Sequence, residues 1–357
     1  MEQRFKASNA QPQQDAYLTK WLAPSNIALV KYWGKTPPQL PQNASLSFTL
    51  SDAQSQTEVR FTPLSIPTKR VSFSILFEGK EKPSFRPKLQ AFFDHIIAYQ
   101  PFLLHYDVAI SSNNTFPHSS GIASSASSMA ALAACLVDLE TQLLPMDEKL
   151  KLEKISFLAR LGSGSACRSV QGPTMAWGTH PSVVASSDFM AVAVNDIHPI
   201  FTTYCDTILL VDKGHKQVSS TLGHKLMHNH PYAAQRFAQA NSQLAALLPV
   251  LKDGNLDAFI AIVEKEALDL HAMMMTSDPY FILMQPNTLH IINAVWQFRS
   301  ETKIPLCFTL DAGANVHLLY PSNVSESVKA FIGSDLLQFC QNRQCVHDAV
   351  GTGIKKC

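Results

Sequence analysis

Charge is scarce in this chain. Asp, Glu, Lys and Arg make up only 16% of its residues, below the usual quarter, and the formal net charge is +1. A chain this close to neutral is not held to nucleic acid by bulk electrostatics, so any cationic site has to be local. Paired cysteines are missing as well. The seven cysteines, at 135, 167, 205, 307, 340, 345 and 357, form no Cys-x-x-Cys and no even disulfide ladder. With no signal-peptide pattern at the start, that predicts reduced thiols and a cytoplasmic location. Long apolar runs are absent too, and the longest, residues 129–137, is far too short to cross a bilayer. No Gly-x4-Gly-Lys-Ser/Thr occurs, which excludes a Walker A loop. What is present is a 46% hydrophobic share and 357 residues, a length that predicts two domains with ample core.

The densest chemical signal lies at residues 113–135. Six hydroxyls, Ser119, Ser120, Ser124, Ser125, Ser127 and Ser128, surround Gly121 just before Met129, Leu132, Ala133 and Leu136 recur at helical spacing. A helix start offers unpaired N–H groups and a positive dipole end, and small side chains let an anion reach the backbone. Gly121 is available for positive φ where the chain bends. The competing reading is an ordinary capped helix, but six serines exceed what one cap needs.

Elsewhere the pattern predicts α+β architecture in both halves. Val71, Phe73, Ile75 and Phe77 alternate as a strand, with residues 58–61 as its expected hairpin partner. Leu89, Phe92, Phe93, Ile96 and Ile97 follow helical spacing, 106–111 is a strand, and a helix over 148–161 is expected to end at Gly162 in the left-handed conformation. After a reset near 196–199 come a strand at 207–211 and helices near 231–249, 255–272 and 286–299. Strands at 307–310 and 315–320, a helix over 325–340 and a last strand near 345–350 follow. The expected domains are 21–197 and 198–357, after a loose polar tail at 1–20.

Three further segments carry chemistry. Residues 26–35 read as an apolar strand ending in Lys31, Tyr32, Trp33, Gly34 and Lys35, where two ammonium groups and a phenol could bind phosphate or simply be solvated. Residues 162–169 form a small-residue loop whose one charge, Arg168, suits a carboxylate or phosphate. Asp311 heads an Asp-Ala-Gly-Ala-Asn turn and, taken alone, is an ordinary turn aspartate. His224, His228 and His230 lie close together, but no Cys or acidic partner stands at a zinc spacing.

Together these segments resemble the GHMP kinase superfamily and, within it, the mevalonate diphosphate decarboxylase family. Residues 26–35 are similar to N-I-A-x-x-K-Y-W-G-K and residues 43–50 to the S-x-S-x-T-L strand. The serine run resembles P-x-x-x-G-L-A-S-S-A, residues 162–169 resemble G-S-G-S-A-x-R-S, and 311–315 resemble D-A-G-x-N. The chain departs from the pattern at His118-Ser119-Ser120, where Thr-Ala-Ala is usual. It departs again at His224, in place of methionine, and at Asn229-His230-Pro231.

The resemblance implies a two-domain GHMP kinase fold. Its N-terminal domain would be ribosomal protein S5 domain 2-like and its C-terminal domain a ferredoxin-like α/β sandwich, with the active site in the cleft between them. It implies ATP with Mg2+, a homodimer, no nucleic acid or membrane partner, and ATP-dependent decarboxylation of diphosphomevalonate. By resemblance, Asp311, Lys31 and Arg168 would be catalytic, and Arg168 would hold the substrate carboxylate. Asn26, Tyr32, Lys35, Ser163, Ser165, Lys216 and Ser220 would bind substrate. Pro117, Ser119, Ser120, Gly121, Ala123, Ser124, Ser125 and Ser128 would bind ATP, with Ser124 or Ser125 nearest the metal. The competing functions are a 5-phosphomevalonate decarboxylase, a mevalonate 3-kinase-like enzyme, and a non-catalytic binding protein of the same fold.

Overall fold

The computed structural model describes residues 2–7, 10–117, 122–212 and 220–357, with the backbone alone at Ser220 and Thr221. The strands are β1 (Tyr17–Val30), β2 (Lys35–Thr36), β3 (Leu40–Pro41), β4 (Ser45–Pro63), β5 (Ser72–Phe77), β6 (Lys80–Glu81), β7 (Tyr106–Asn114), β8 (Thr174–Trp177) and β9 (Val192–Ala193). They continue as β10 (Cys205–Leu209), β11 (Cys307–Leu310), β12 (Val316–Tyr320), β13 (Cys345–Ala349) and β14 (Lys355–Lys356). The helices are α1 (Arg86–Ile96), α2 (Ser124–Leu143), α3 (Glu148–Gly162), α4 (Pro199–Thr202), α5 (Ser220–Leu226), α6 (Ala233–Asp253), α7 (Leu256–Met275), α8 (Pro286–Thr302) and α9 (Ser325–Phe331).

Two sheets organise these elements. The first runs β14-β1-β4-β7-β5-β6, with β8 on the far end of β4 and β9 beyond it. Its inward residues, among them Trp21, Val59, Phe61, Val108 and Ile110, pack on α1, α2 and α3 through Phe92, Phe93, Leu132, Leu136 and Phe157. Helix α2 is rich in Ala and Leu, both good helix formers, and almost every side chain from Ala126 to Glu140 is buried. It is therefore the central helix, and its start is fixed by tertiary packing. Asp147 caps α3 by accepting the Leu150 N–H at 2.7 Å. The second sheet is antiparallel, order β11-β12-β10-β13, with α8 and α9 packed through Ile291, Val295, Val328 and Phe331.

The two sheets share a core. Phe48 and Leu50 of β4 meet Phe201, Tyr204, Leu244, Leu247 and Phe259 in one continuous apolar cluster. Beside it the buried Asp348 carboxylate accepts the N–H groups of Ser51, Asp52 and Ala53 at 2.9, 2.9 and 2.7 Å. Beyond β13, β14 returns to pair with Trp21 and Leu22 of β1. Asp311, carried by the second sheet, is thereby held in a fixed relation to Lys31, carried by the first.

Three expectations are corrected. Residues 58–61 do not form a hairpin with β5. Strand β5 pairs in parallel with β7, and α1 makes the crossover between them. Gly162 is helical rather than a left-handed stop. A Cβ there would lie 2.6 Å from Met129 Sδ, so the glycine serves the close approach of α3 to α2. The N-terminal segment is not loose throughout, because Phe5 is buried and stacks on Phe157 with ring centroids 4.7 Å apart.

Candidate active site

Lys31 is the first residue past β1, and its side chain is 2% exposed. Its ammonium donates to Asp311 Oδ1 at 3.0 Å across 280 residues of sequence. Its backbone is gripped at both ends. The Lys31 N–H donates to Glu266 Oε2 at 2.9 Å, and its carbonyl accepts from Arg236 Nη2 at 3.4 Å and Asn43 Nδ2 at 3.0 Å. Arg236 and Glu266 are themselves a two-point ion pair, at 2.8 and 2.7 Å, in a fully buried setting. Burial pulls the Lys31 ammonium below the ordinary lysine range, and the carboxylates of Asp311 and Glu266 oppose that pull.

Arg168 lies in the 3-10 turn Gly164–Ser169 that follows α3. Its guanidinium directs Nε and Nη2 at Asn26 Oδ1, at 3.4 and 3.3 Å, and Nη1 donates to Ser45 Oγ. Asn26 is fixed in turn, since its Nδ2 donates to Ser169 Oγ at 2.8 Å and Ser165 O at 3.2 Å. Among the described residues, every hydrogen bond of Arg168 goes to a neutral acceptor, which leaves its charge available for an anion. Burial pulls the Arg168 guanidinium below its ordinary range, with the Asp311 carboxylate among the groups that oppose the pull, and Arg168 in turn opposes the charge on Lys31. Asp311, Lys31 and Arg168 therefore form one constellation.

Tyr32 packs edge-on against Trp177, with ring centroids 4.8 Å apart. Its hydroxyl would lie 2.7 Å from a Cβ placed on Gly164, so the loop needs glycine there. Burial pushes the phenol well above its ordinary pKa, keeping it a neutral donor. Lys35 Nζ donates to Gln39 Oε1 at 2.8 Å, and burial with the nearby Lys225 lowers its pKa. Cys167 is a packing thiol, pushed up to about 12 by burial.

Of the residues expected to bind phosphates, Ser119, Ser120 and Gly121, together with Lys216 and the side chain of Ser220, lie outside the described residues. The part that is described meets the small-residue loop 162–169 directly. Ala123, at φ +28°, opens α2, and Ser125 Oγ lies 3.3 Å from Ser163 Oγ. Ser128 Oγ lies 3.1 Å from Ser55 Oγ on β4. Ser124, Ser125 and Ser128 also line a cavity of about 210 Å³, walled by Ile75, Phe77, Phe85, Leu89 and Met129 with Thr57 and Ser112. Hydroxyls at one end and apolar walls at the other suit a phosphorylated nucleoside. Among the described residues no group of three His, Cys, Asp or Glu side chains could hold a metal. Serine oxygens at the start of α2 instead fit Mg2+ carried by nucleotide phosphates, which takes oxygen ligands and keeps several waters.

Sequence reasoning missed Glu266, Arg236, His271 and the apolar cavity walls. His271 Nε2 lies 3.1 Å from the Asp311 carbonyl, which can only accept, so Nε2 carries the proton. Burial pushes this imidazole down to about 4, against the Asp311 hydrogen bond and with the help of Lys31. The folded value lies below the unfolded one of about 6.5, so the unfolded chain binds the proton first as pH falls. The stability from the neutral ring is full above about pH 6.5 and lost towards pH 4, a loss of about 3 kcal/mol. His271→Gln should lack that loss. Urea unfolding at pH 7 and pH 4.5 reads it, and equal acid losses in the two proteins would contradict the assignment.

Comparison with known proteins shows which family the chain resembles over most of its length. The model of the diphosphomevalonate decarboxylase-like N-terminal domain matches residues 23–188, and that of the mevalonate 5-diphosphate decarboxylase C-terminal domain matches residues 207–353. A diphosphomevalonate decarboxylase from Ganoderma lucidum is 31% identical over 341 residues, covering 87% of this chain and 80% of its own. A phosphomevalonate decarboxylase from Haloferax volcanii is 27% identical over 293 residues, covering 81% and 84%. The mevalonate diphosphate decarboxylase structure from Staphylococcus aureus superposes with a TM-score of 0.82 at 27% identity, covering 96% of this chain and 98% of that one. A structure in complex with MVAPP, AMPPCP and magnesium gives 0.80 at 28% identity, covering 96% and 99%.

Proposed function

Because the chain belongs to the mevalonate diphosphate decarboxylase family, we propose that Asp311, Lys31 and Arg168 are the residues that carry out its reaction. That reaction is the ATP-dependent decarboxylation of (R)-5-diphosphomevalonate to isopentenyl diphosphate, with ADP, phosphate and CO2 as the other products. The observation that carries the residue assignment is the buried Lys31 ammonium held 3.0 Å from Asp311 across the cleft between the two sheets.

The chemistry follows from the groups present. A tertiary C3 hydroxyl is too weak an acid for a carboxylate to ionise outright. Asp311 therefore orients the hydroxyl and takes its proton late, as a loose phosphoryl-transfer transition state develops. Lys31 stabilises charge on the transferring group, and its tie to Asp311 keeps both aligned. Once C3 carries phosphate, that phosphate leaves with the C3–O bonding pair. The electrons of the breaking bond to the carboxylate form the new C=C, and CO2 departs. Arg168 holds the carboxylate in register until then, with Asn26 positioning the substrate. Tyr32, Lys35, Ser163, Ser165, Lys216 and Ser220 bracket its terminal phosphates. Pro117, Ser119, Ser120, Gly121, Ala123, Ser124, Ser125 and Ser128 receive the ATP phosphates, and the neighbouring apolar cavity takes the base. Magnesium, where bound, would neutralise phosphate charge, with the Ser124 and Ser125 hydroxyls as the residues to hold it.

The same reading places a domain boundary near residues 197–198, supported by the two family matches and the two sheets. A cytoplasmic, homodimeric protein completes it, with seven unpaired cysteines as the support for a reducing compartment.

Two substrates compared side by side test the function. With the 5-diphosphate, ADP and CO2 should appear in equal amounts, and kcat/KM should exceed that for the 5-monophosphate by at least about 10-fold, since Lys35 and Tyr32 favour the larger anion. Preference for the monophosphate would move the chain to the activity of its Haloferax relative. ADP without CO2 would mean a 3-kinase.

A further inference from the structure

Helix α5 meets residues 32–35 through contacts that the chemistry above does not use. His224 Nδ1 accepts the Gly34 N–H at 2.9 Å. Its imidazole is 6% exposed and lies between Tyr32 and Trp33, with ring centroids 4.4 and 4.6 Å away. One residue earlier, a Cβ on Gly223 would fall 2.4 Å from Trp33 Cζ2, so the helix reaches this depth only because glycine stands there. Gly34 itself is at φ +100°, and a Cβ on it would lie 2.8 Å from Phe237 of α6. The turn at Gly34 sends Lys35 onward into β2, and one cavity of about 250 Å³ is lined by Lys35, Gln42, His224 and His228.

An Nδ1 that accepts leaves the proton on Nε2, so the ring works here as a neutral acceptor. Burial and the Lys35 charge both hold His224 well below the ordinary histidine range, in keeping with that state. Where the resemblance has methionine, a thioether accepts only weakly and could not replace this bond to a buried N–H.

We propose that His224 is a positioning residue for the substrate's terminal phosphate: it fixes Gly34 and, through Gly34, holds Tyr32 and Lys35 where they grip that phosphate. The inference rests on Tyr32 and Lys35 being the phosphate-binding pair.

Three variants and one reserve test it, each checked for folding by thermal melting and each assayed against 5-diphosphomevalonate and ATP. His224→Met should raise the substrate KM by about 10-fold or more, the loss of one hydrogen bond to a buried donor, with kcat within about threefold and the KM for ATP unchanged. His224→Asn, whose amide oxygen takes the Nδ1 position, should bring the substrate KM back to within about threefold of wild type. Should His224→Met fail to fold, His224→Gln supplies the same arm, because its amide extends past the Nδ1 position. An unchanged substrate KM in the loss variant overturns the proposal, as does an equal fall in kcat and both affinities. Failure of His224→Asn to recover the KM does so too. Lys35→Met separates the two levels. If it leaves the substrate KM unchanged, the phosphate assignment itself fails. If it raises KM while His224→Met does not, only the positioning role falls.

Discussion

Asp311→Asn should bind ATP and substrate nearly as tightly as the wild type while turning over at least about 10³-fold more slowly. The amide keeps the shape of the carboxylate and still offers Lys31 an oxygen at the position of Oδ1, now 3.0 Å from Nζ. The His271 bond also survives, since it goes to the backbone carbonyl. What the amide cannot do is accept a proton. A loss confined to the chemical step amounts to about 4 kcal/mol of barrier, ample for a group that acts only as charge develops. Calorimetric binding of an ATP analogue and of substrate, set beside single-turnover release of ADP, reads the two effects apart. Near-normal turnover would remove Asp311 from the chemistry. A parallel loss of ATP affinity would show instead that the substitution had collapsed the cleft around Lys31.

The three residues were legible in the sequence through the family motifs that carry them, not from their own chemistry. Arg168 is the one charge of its small-residue loop, whereas Asp311 in its Asp-Ala-Gly turn and Lys31 at the end of an apolar run read as a turn aspartate and a solvated lysine until the motifs are taken together. Their supports were not legible. Glu266 and Arg236 sit within long helices, where an isolated charge reads as a solvated face, yet both are buried and matched to the Lys31 backbone. No local pattern couples residues 30 positions apart on two helices with a third point just past a distant strand. The same limit explains β5. Alternation identified it as a strand, but whether it pairs with its neighbour in sequence or with β7 depends on the crossover made by α1. Gly162 shows a further ambiguity, since a glycine near a helix end can serve backbone conformation or close packing, and only the position of Met129 decides. The apolar walls of the cavity beside α2, such as Ile75 and Leu89, carry strand and helix patterns that ordinary core would also show.

Glu266→Gln should cost about 3–5 kcal/mol of stability, because it leaves the Arg236 guanidinium buried without its counter-charge. Both side chains are essentially inaccessible, at 1% and 0% exposure, so water cannot take over the lost partner. Turnover should fall with stability, but a fall in the single variant does not say whether folding or the site was damaged. The double variant Arg236→Met with Glu266→Leu separates them. Removing both charges together avoids an unpaired ion, and urea unfolding should return to within about 2 kcal/mol of wild type. Catalysis should not return with it, because the Lys31 N–H has lost its acceptor at 2.9 Å and the Lys31 carbonyl its donor at 3.4 Å. A displacement of Lys31 by even about 1 Å is enough for a 10²-fold loss in turnover. Recovery of stability without recovery of kcat means that the buried pair serves the position of Lys31, the residue that must meet Asp311 from the other sheet. Recovery of both would make it packing alone, and the alignment of Lys31 would then rest on its strand and on Asn43.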